Sequence, residues 1–462
     1  MNTVDRFFES VKGKKVCFVG IGTSNLPLIA MFAKKGAVVS ACDRQTYENL
    51  GENAVRAEKA GAKLILGDNY LDNIDTDILF RSPGTPFYKP ELEKLKKKGV
   101  VVTSEMEVFF DLCPCKIVAV TGSDGKTTTT TIISELLKAQ GKTVHLGGNI
   151  GTPLLPRIEE IKEDDYAVVE LSSFQLISMR QSPKIAVVTN LAPNHLDIHK
   201  DMDEYVDSKR NIVLHQNAFS KTVLNLDNDI SDSFSKDVRG KLVKFSRKAT
   251  VDNGCFLDDD TIVYNDYGKI SSVINIKDIK IPGMHNVENY MAAISAVWGI
   301  VSVDNIVKVA KTFGGVEHRA EFVREIDGVE YYNDSIASSP TRTAIGTLSL
   351  YDKKIIIIAG GYDKHIPYEP LGPVICNKVK TLILMGDTAP KIEKAVKDSD
   401  NYSENNPVII NVNNMEEAVE AARNNAVEGD IVSLSPASAS FGLYKNFAQR
   451  GNHFKEIVNN LK

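Results

Sequence analysis

Residues 118–130 read Val-Ala-Val-Thr-Gly-Ser-Asp-Gly-Lys-Thr-Thr-Thr-Thr, an apolar strand running into a glycine turn that presents a lysine and a hydroxyl where a helix begins. Such a turn aims backbone N–H groups at phosphate oxygens, and the helix start adds the positive end of its dipole. Lys126 is then placed for the outer phosphates of a nucleoside triphosphate, and the Thr127 hydroxyl for Mg²⁺. Gly122, Ser123, Asp124, Gly125 and Thr128 complete the cradle. The longer phosphate-loop pattern needs a further glycine at position 120, which is valine here, so the shorter Thr-Gly-x-x-Gly-Lys-Thr form carries the reading. A glycine, serine and lysine turn without a ligand is the alternative.

Two later apolar runs end in groups that can bind metal. Glu170 closes Tyr166–Glu170 and is followed by Leu-Ser-Ser-Phe-Gln, which puts its carboxylate at the carboxyl edge of a sheet, either as a Mg²⁺ ligand or as a solvated strand end. The run Lys184–Thr189 leads into Asn194-His195-Leu-Asp197, where His195 is a second metal-capable side chain or a surface histidine. Lys209, in Tyr205-Val-Asp-Ser-Lys209, reads by position alone as a solvated helix lysine. Near the amino terminus, Gly20-Ile-Gly22-Thr-Ser-Asn25 begins like a dinucleotide fingerprint but has asparagine where the third glycine belongs, and Asp43 stands where an acidic residue meets a ribose. NAD, a nucleotide-sugar diphosphate and bare packing glycines all fit these residues. Cys113-Pro-Cys115 has the spacing of a metal or redox pair but no second Cys/His pair nearby, and reads as linker.

Positioning these groups requires parallel α/β architecture. Apolar runs at Lys15–Gly20, Ala37–Asp43, Lys63–Gly67 and Asp77–Phe80 alternate with helical periods at Leu26–Lys35 and Tyr47–Ala60. A second block adds strands at Thr143–Leu146 and Thr222–Asn225, an antiparallel excursion over Gly254–Ile276 and a helix around Asn289–Trp298. A third repeats the rhythm at Val329–Tyr332, Lys354–Ala359, Thr381–Met385, Val408–Asn411 and Asp430–Leu434. The 462 residues, 43% hydrophobic and 25% charged, suffice for several cores. A net charge of −5 supplies no positive field for nucleic acid, so anionic ligands must be met by local charge. No apolar run is long enough to span a bilayer and the first residues lack a leader pattern, which predicts a cytoplasmic protein without membrane insertion. Six cysteines do not make a disulfide framework in a chain this long.

Taken together, Thr121–Thr127, Gly147-Gly-Asn-Ile-Gly151, Glu170–Leu176, Asn194–Asp197, Gly283–Asn289, Glu317-His-Arg319, Asn333-Asp-Ser335, Ser435–Ser440 and Lys445–Gly451 resemble the Mur ligase family. Glu170–Leu176 and Ser435–Gly451 resemble its D-glutamate-adding branch. The resemblance covers nearly the whole chain. It implies three α/β domains: a Rossmann-like one over 1–106, a central P-loop ATPase-type domain with a mostly parallel sheet over 107–315, and a Rossmann-like one over 316–462. It also implies ATP-dependent amide synthesis in peptidoglycan precursor formation by a monomer, with UDP-N-acetylmuramoyl-L-alanine and D-glutamate as substrates and an acyl phosphate as intermediate.

By the same resemblance Lys126, Glu170, His195 and Lys209 are catalytic. Thr127 and Glu170 hold one Mg²⁺, His195 helps hold a second, and Lys209 carries a CO₂-derived carbamate that supports the metals. Asn286, Asn289, Arg319 and Asp334 join residues 122–128 on the nucleotide. Thr23, Ser24, Asp43 and Arg44 meet the uridine nucleotide, Asn149 the muramoyl-alanine end, and Lys364, Ser440 and Phe447 the D-glutamate, with Ser172 a further substrate-binding residue. The chain departs from the family at Ile336, where many relatives carry lysine, and at Phe441-Gly442, in place of Leu-Asp. A folylpolyglutamate-synthase-like ligase and a P-loop switch are the competing readings.

Overall fold

A computed structural model of the chain describes residues 2–193, 195, 198–364 and 366–462. The chain forms two compact units, one of Met1–Asp278 with Val287–Val309, the other of Ile279–Asn286 with Ala310–Lys462.

The first unit contains two sheets. The first is wholly parallel, with β1 (Lys15–Val19), β2 (Val38–Asp43), β3 (Lys63–Leu66), β4 (Ile78–Arg81) and β5 (Val101–Thr103) in the order β3-β2-β1-β4-β5. A parallel sheet is covered on both faces, so β1 and β4 are almost continuously apolar. Phe18 of β1 stacks on Phe80 of β4 at 4.9 Å, and Phe32 of helix Leu26–Lys34 closes on both. The helix expected over Tyr47–Ala60 is two, Tyr47–Leu50 and Glu52–Lys59, because Gly51 takes φ +52 and breaks the helical path.

The second sheet has nine strands: β6 (Lys116–Thr121), β7 (Val144–Gly148), β8 (Tyr166–Glu170), β9 (Ile185–Val188), β10 (Lys221–Asn225), β11 (Lys241–Ser246), β12 (Asn253–Asp258), β13 (Thr261–Asp266) and β14 (Lys269–Asn275). Their order is β14-β13-β12-β11-β10-β9-β6-β8-β7, parallel except for the β12–β14 meander, which is the expected antiparallel excursion. The chain leaves β6 towards β7 and leaves β9 towards β10. The carboxyl ends of β6 and β9 therefore flank a topological switch point, where open α/β sheets bind ligands.

The second unit holds the third sheet, with β15 (Glu321–Ile326), β16 (Val329–Asn333), β17 (Ile355–Gly360), β18 (Val379–Met385), β19 (Val408–Asn411) and β20 (Ile431–Leu434). Its order is β15-β16-β20-β17-β18-β19, with β15 antiparallel at one edge. The fold is α/β with three mostly parallel sheets, as the sequence pattern requires. Among the described residues no helix is long and apolar enough to cross a membrane.

Candidate active site

At the switch point, β6 delivers the glycine turn and helix Lys126–Ala139 starts from Gly125 in the left-handed region, φ +76. Gly122 has φ +153, and a Cβ there would collide with Thr189 Oγ1; one at Gly125 would collide with Asn289 Oδ1. The loop is thus packed too closely for any side chain at either glycine. Ser123 N–H donates to Asn190 O at 2.8 Å, Asp124 N–H to Asn190 Oδ1 at 3.0 Å, and Thr189 Oγ1 to Asp124 O at 2.6 Å, so the loop after β9 clamps the turn. Lys126 Nζ reaches back to Ser123 O at 2.9 Å, and the Thr128 side chain is buried. Gly122→Ala is expected to cost about 2 kcal/mol through backbone strain and the Thr189 clash. A lower melting temperature together with weaker nucleotide binding would show it; a wild-type melt would mean the turn is not built this way.

Glu170 ends β8 beside the loop and is buried. Its Oε2 accepts from Thr127 Oγ1 at 2.7 Å, and its Oε1 from Asn149 Nδ2 at 2.8 Å. A hydroxyl and a carboxylate held together at the mouth of a phosphate cradle are the hard oxygen donors that Mg²⁺ selects. The cradle that excludes side chains and this donor pair fit a Mg²⁺-bound nucleoside triphosphate. Asn289 lies beneath the cradle, its Oδ1 accepting from Thr129 Oγ1 at 3.1 Å.

Lys209 corrects its reading as a solvated lysine: it is 2% exposed, in helix Met202–Leu214. The Nζ donates to Gly122 O at 2.9 Å and to Thr121 Oγ1 at 3.1 Å, and lies 5.0 Å from the Tyr205 ring centre. Burial first, and then the charge on Lys126, hold its pKa well below the usual lysine range, against the weaker pull of Glu170 and Asp124. His195 is exposed, at φ +56, with its ring 5.1 Å from Phe174. Asn194, Leu196 and Asp197 lie outside the described residues.

Three site residues escaped sequence reading. Tyr205 OH meets Ser123 Oγ at 2.9 Å, Asn190 clamps the turn, and buried His199 stacks on Phe174 at 5.2 Å while its Nε2 meets Ser173 Oγ at 2.9 Å. Tyr205 precedes Lys209 by one helical turn, and that shared face was its available signal.

In the first sheet, Asn25 fills the third-glycine position by donating through Nδ2 to Val19 O and Gly20 O, which closes the turn. The Asp43 carboxylate accepts from Ile21 N–H and Gln45 N–H and so shapes the same rim. A cavity of about 920 Å³ opens here, lined by Thr23, Ser24, Asp43, Arg44 and Lys89 from the first sheet's loops and by Asn149 and Gln175 from the second's. Ser172 caps helix Ser173–Leu176, its hydroxyl engaged with Gln175.

The remaining candidates belong to the second unit. Asn286 Nδ2 donates to Pro282 O, and Arg319 sits in a turn whose neighbours His318 and Ala320 have positive φ. Asp334 is buried, accepts from Ala320 N–H and Thr347 Oγ1, and has its pKa pushed up to about 6 by burial. Ser440 is buried after β20, Phe447 opens helix Phe447–Asn460 with its ring 5.8 Å from that of His318, and Lys364 is exposed after β17. Near Ile336, Arg450 is a buried cation that donates to Ser335 Oγ and O and to Ser438 O and Ala439 O.

Residues 120–297 match the model of the Mur ligase middle domain, and residues 318–438 that of the Mur ligase glutamate ligase domain. A UDP-N-acetylmuramoylalanine–D-glutamate ligase of Acetivibrio thermocellus is 53% identical over 466 aligned positions, with all of both chains covered. The enzyme of that name from Clostridium novyi is 51% identical over 99% of each. The crystal structure of UDP-N-acetylmuramate-alanine ligase from Thermotoga maritima shares the fold at TM-score 0.57 and 17% identity, over 97% of this chain and 100% of that one. Likeness of this extent along its whole length makes the chain a member of the Mur ligase family of ATP-dependent amide ligases.

Proposed function

We propose that the chain joins D-glutamate to UDP-N-acetylmuramoyl-L-alanine at the expense of ATP, in the cytoplasm, as a monomer. Asn149 carries this reading: it lines the large cavity and at the same time donates to Glu170, which supports a substrate bound in that cavity with its carboxylate towards the carboxyl end of β8. Relatives about half identical over full length bear the name of this ligase. Three domains are proposed, over 1–106, 107–315 and 316–462, one around each sheet.

ATP with Mg²⁺ would supply a γ-phosphoryl that turns the substrate carboxylate into an acyl phosphate, and the D-glutamate amine then attacks the acyl carbon and displaces inorganic phosphate. Within that scheme the backbone N–H groups of residues 122–127 hold phosphates, and Lys126 steadies the transferring group. Thr127 and Glu170 would hold one Mg²⁺, and His195 would help hold a second, supported by a carbamate on Lys209. Asn286, Asn289, Arg319 and Asp334 serve the nucleotide; Thr23, Ser24, Asp43, Arg44, Asn149 and Ser172 the UDP-substrate; Lys364, Ser440 and Phe447 the D-glutamate. Lys209 fits the carbamate role because its depressed pKa favours the neutral amine that adds CO₂, releasing one proton and leaving an anion.

Phosphate release is expected to require UDP-N-acetylmuramoyl-L-alanine and D-glutamate together, since an acyl phosphate shielded from water turns over only when an amine arrives. Steady release with either alone, or equal release with L-glutamate, would refute the assignment.

A further inference from the structure

The last residue of β4 is a buried arginine in an otherwise apolar strand. Arg81 is 3% exposed, and its guanidinium forks between two segments of the first unit. Nη1 donates to Thr85 O at 2.8 Å, with Ser82 O at 3.4 Å; Nη2 donates to Phe174 O at 2.8 Å, with Ser178 Oγ at 3.4 Å. The carboxylate of Glu107, which accepts from Ser178 Oγ at 3.1 Å, provides the opposing charge through that hydroxyl. Burying a cation with its opposing charge one hydroxyl away costs free energy that an apolar side chain of similar volume would not, while the planar fork fixes the geometry of the carbonyls it binds.

What it fixes is specific. Ser82 and Thr85 line the large cavity. Phe174 lies in the capped turn that follows Glu170, and its ring contacts both His195 and His199. One planar group therefore spans the wall of the cavity and the segment that carries the metal-binding carboxylate.

We propose that Arg81 is a positioning residue, holding the Ser82–Thr85 wall and the Glu170–Gln175 segment in one register so that a nucleotide-sugar substrate bound against the first presents its carboxylate to the second. The proposal rests on the functional reading above. Lysine cannot replace the fork, because one ammonium reaches both carbonyls less well than a planar pair of nitrogens.

Steady-state phosphate release by the full-length enzyme tests it, with Arg81→Met and Arg81→Lys against wild type. Loss of a charged donor's hydrogen bonds is expected to raise KM for UDP-N-acetylmuramoyl-L-alanine about tenfold in Arg81→Met and to lower kcat by a similar factor, with Arg81→Lys between. KM for ATP should stay within about twofold of wild type, a split that loss of packing alone would not produce. A raised KM with unchanged kcat overturns the link to Glu170, and variants that match wild type in both overturn the proposal entirely. Should the methionine variant fail to fold, hydrogen exchange on wild type decides: adding the UDP-substrate without ATP must slow exchange at residues 173–178, and unchanged exchange there despite slowing at 82–86 overturns the coupling. Wild-type enzyme inert towards this substrate would sink the functional reading first.

Discussion

Lys126→Ala is expected to lower kcat on the order of 10²-fold or more, the scale on which removing one preorganised electrostatic group acts, with KM for the two acceptor substrates close to wild type. The ammonium is the first side chain of helix Lys126–Ala139 and folds back on Ser123 O, so it is already held over the turn before any nucleotide arrives. Charge on the transferring phosphoryl is redistributed most in the transition state, and a cation fixed there stabilises that state more than the bound ground state. Lys126→Arg keeps the charge but not the compact ammonium, and should recover little. Rapid-quench or steady-state phosphate release measures both variants. A kcat within about threefold of wild type for Lys126→Ala would mean that the turn binds phosphate without acting on it.

The phosphate loop was legible because all its signals are local: an apolar strand, two glycines with special backbone angles, a lysine and a helix start within a dozen residues. Glu170 was legible for the same reason, as the polar end of an apolar run. Strands β5, β11 and β15 were not, since β5 has three residues, β15 lies at a sheet edge and β11, Lys-Leu-Val-Lys-Phe-Ser, is neither a continuous apolar run nor a strict alternation. The clamps around the site were hidden by sequence distance: Asn190 and Tyr205 reach Asp124 and Ser123 across 66 and 82 residues, and Arg81 reaches Phe174 across 93. Lys209 is the instructive case. Tyr205, Ile212 and Val213 flank it at helical spacing on the buried face, so the pattern marked a charge on an apolar stripe, while composition read it as solvated.

Lys209→Ala should abolish most turnover, and small carboxylates such as formate or acetate should restore part of it. A buried lysine that donates to Thr121 and Gly122 O has two ways to matter. As an ammonium it fastens the base of the phosphate loop, and its truncation would leave a cavity, a lower melting temperature and a defect no added anion repairs. As a carbamate it is an anion beside the metals, and its truncation leaves a space that a carboxylate can enter to supply the missing charge. The depressed pKa favours the second state, because CO₂ adds to the neutral amine. Activity and melting temperature measured together, with and without the carboxylate, separate the two. Rescue at an unchanged melting temperature establishes the anion. A destabilised variant that formate and acetate leave inactive would make Lys209 a structural cation of the loop.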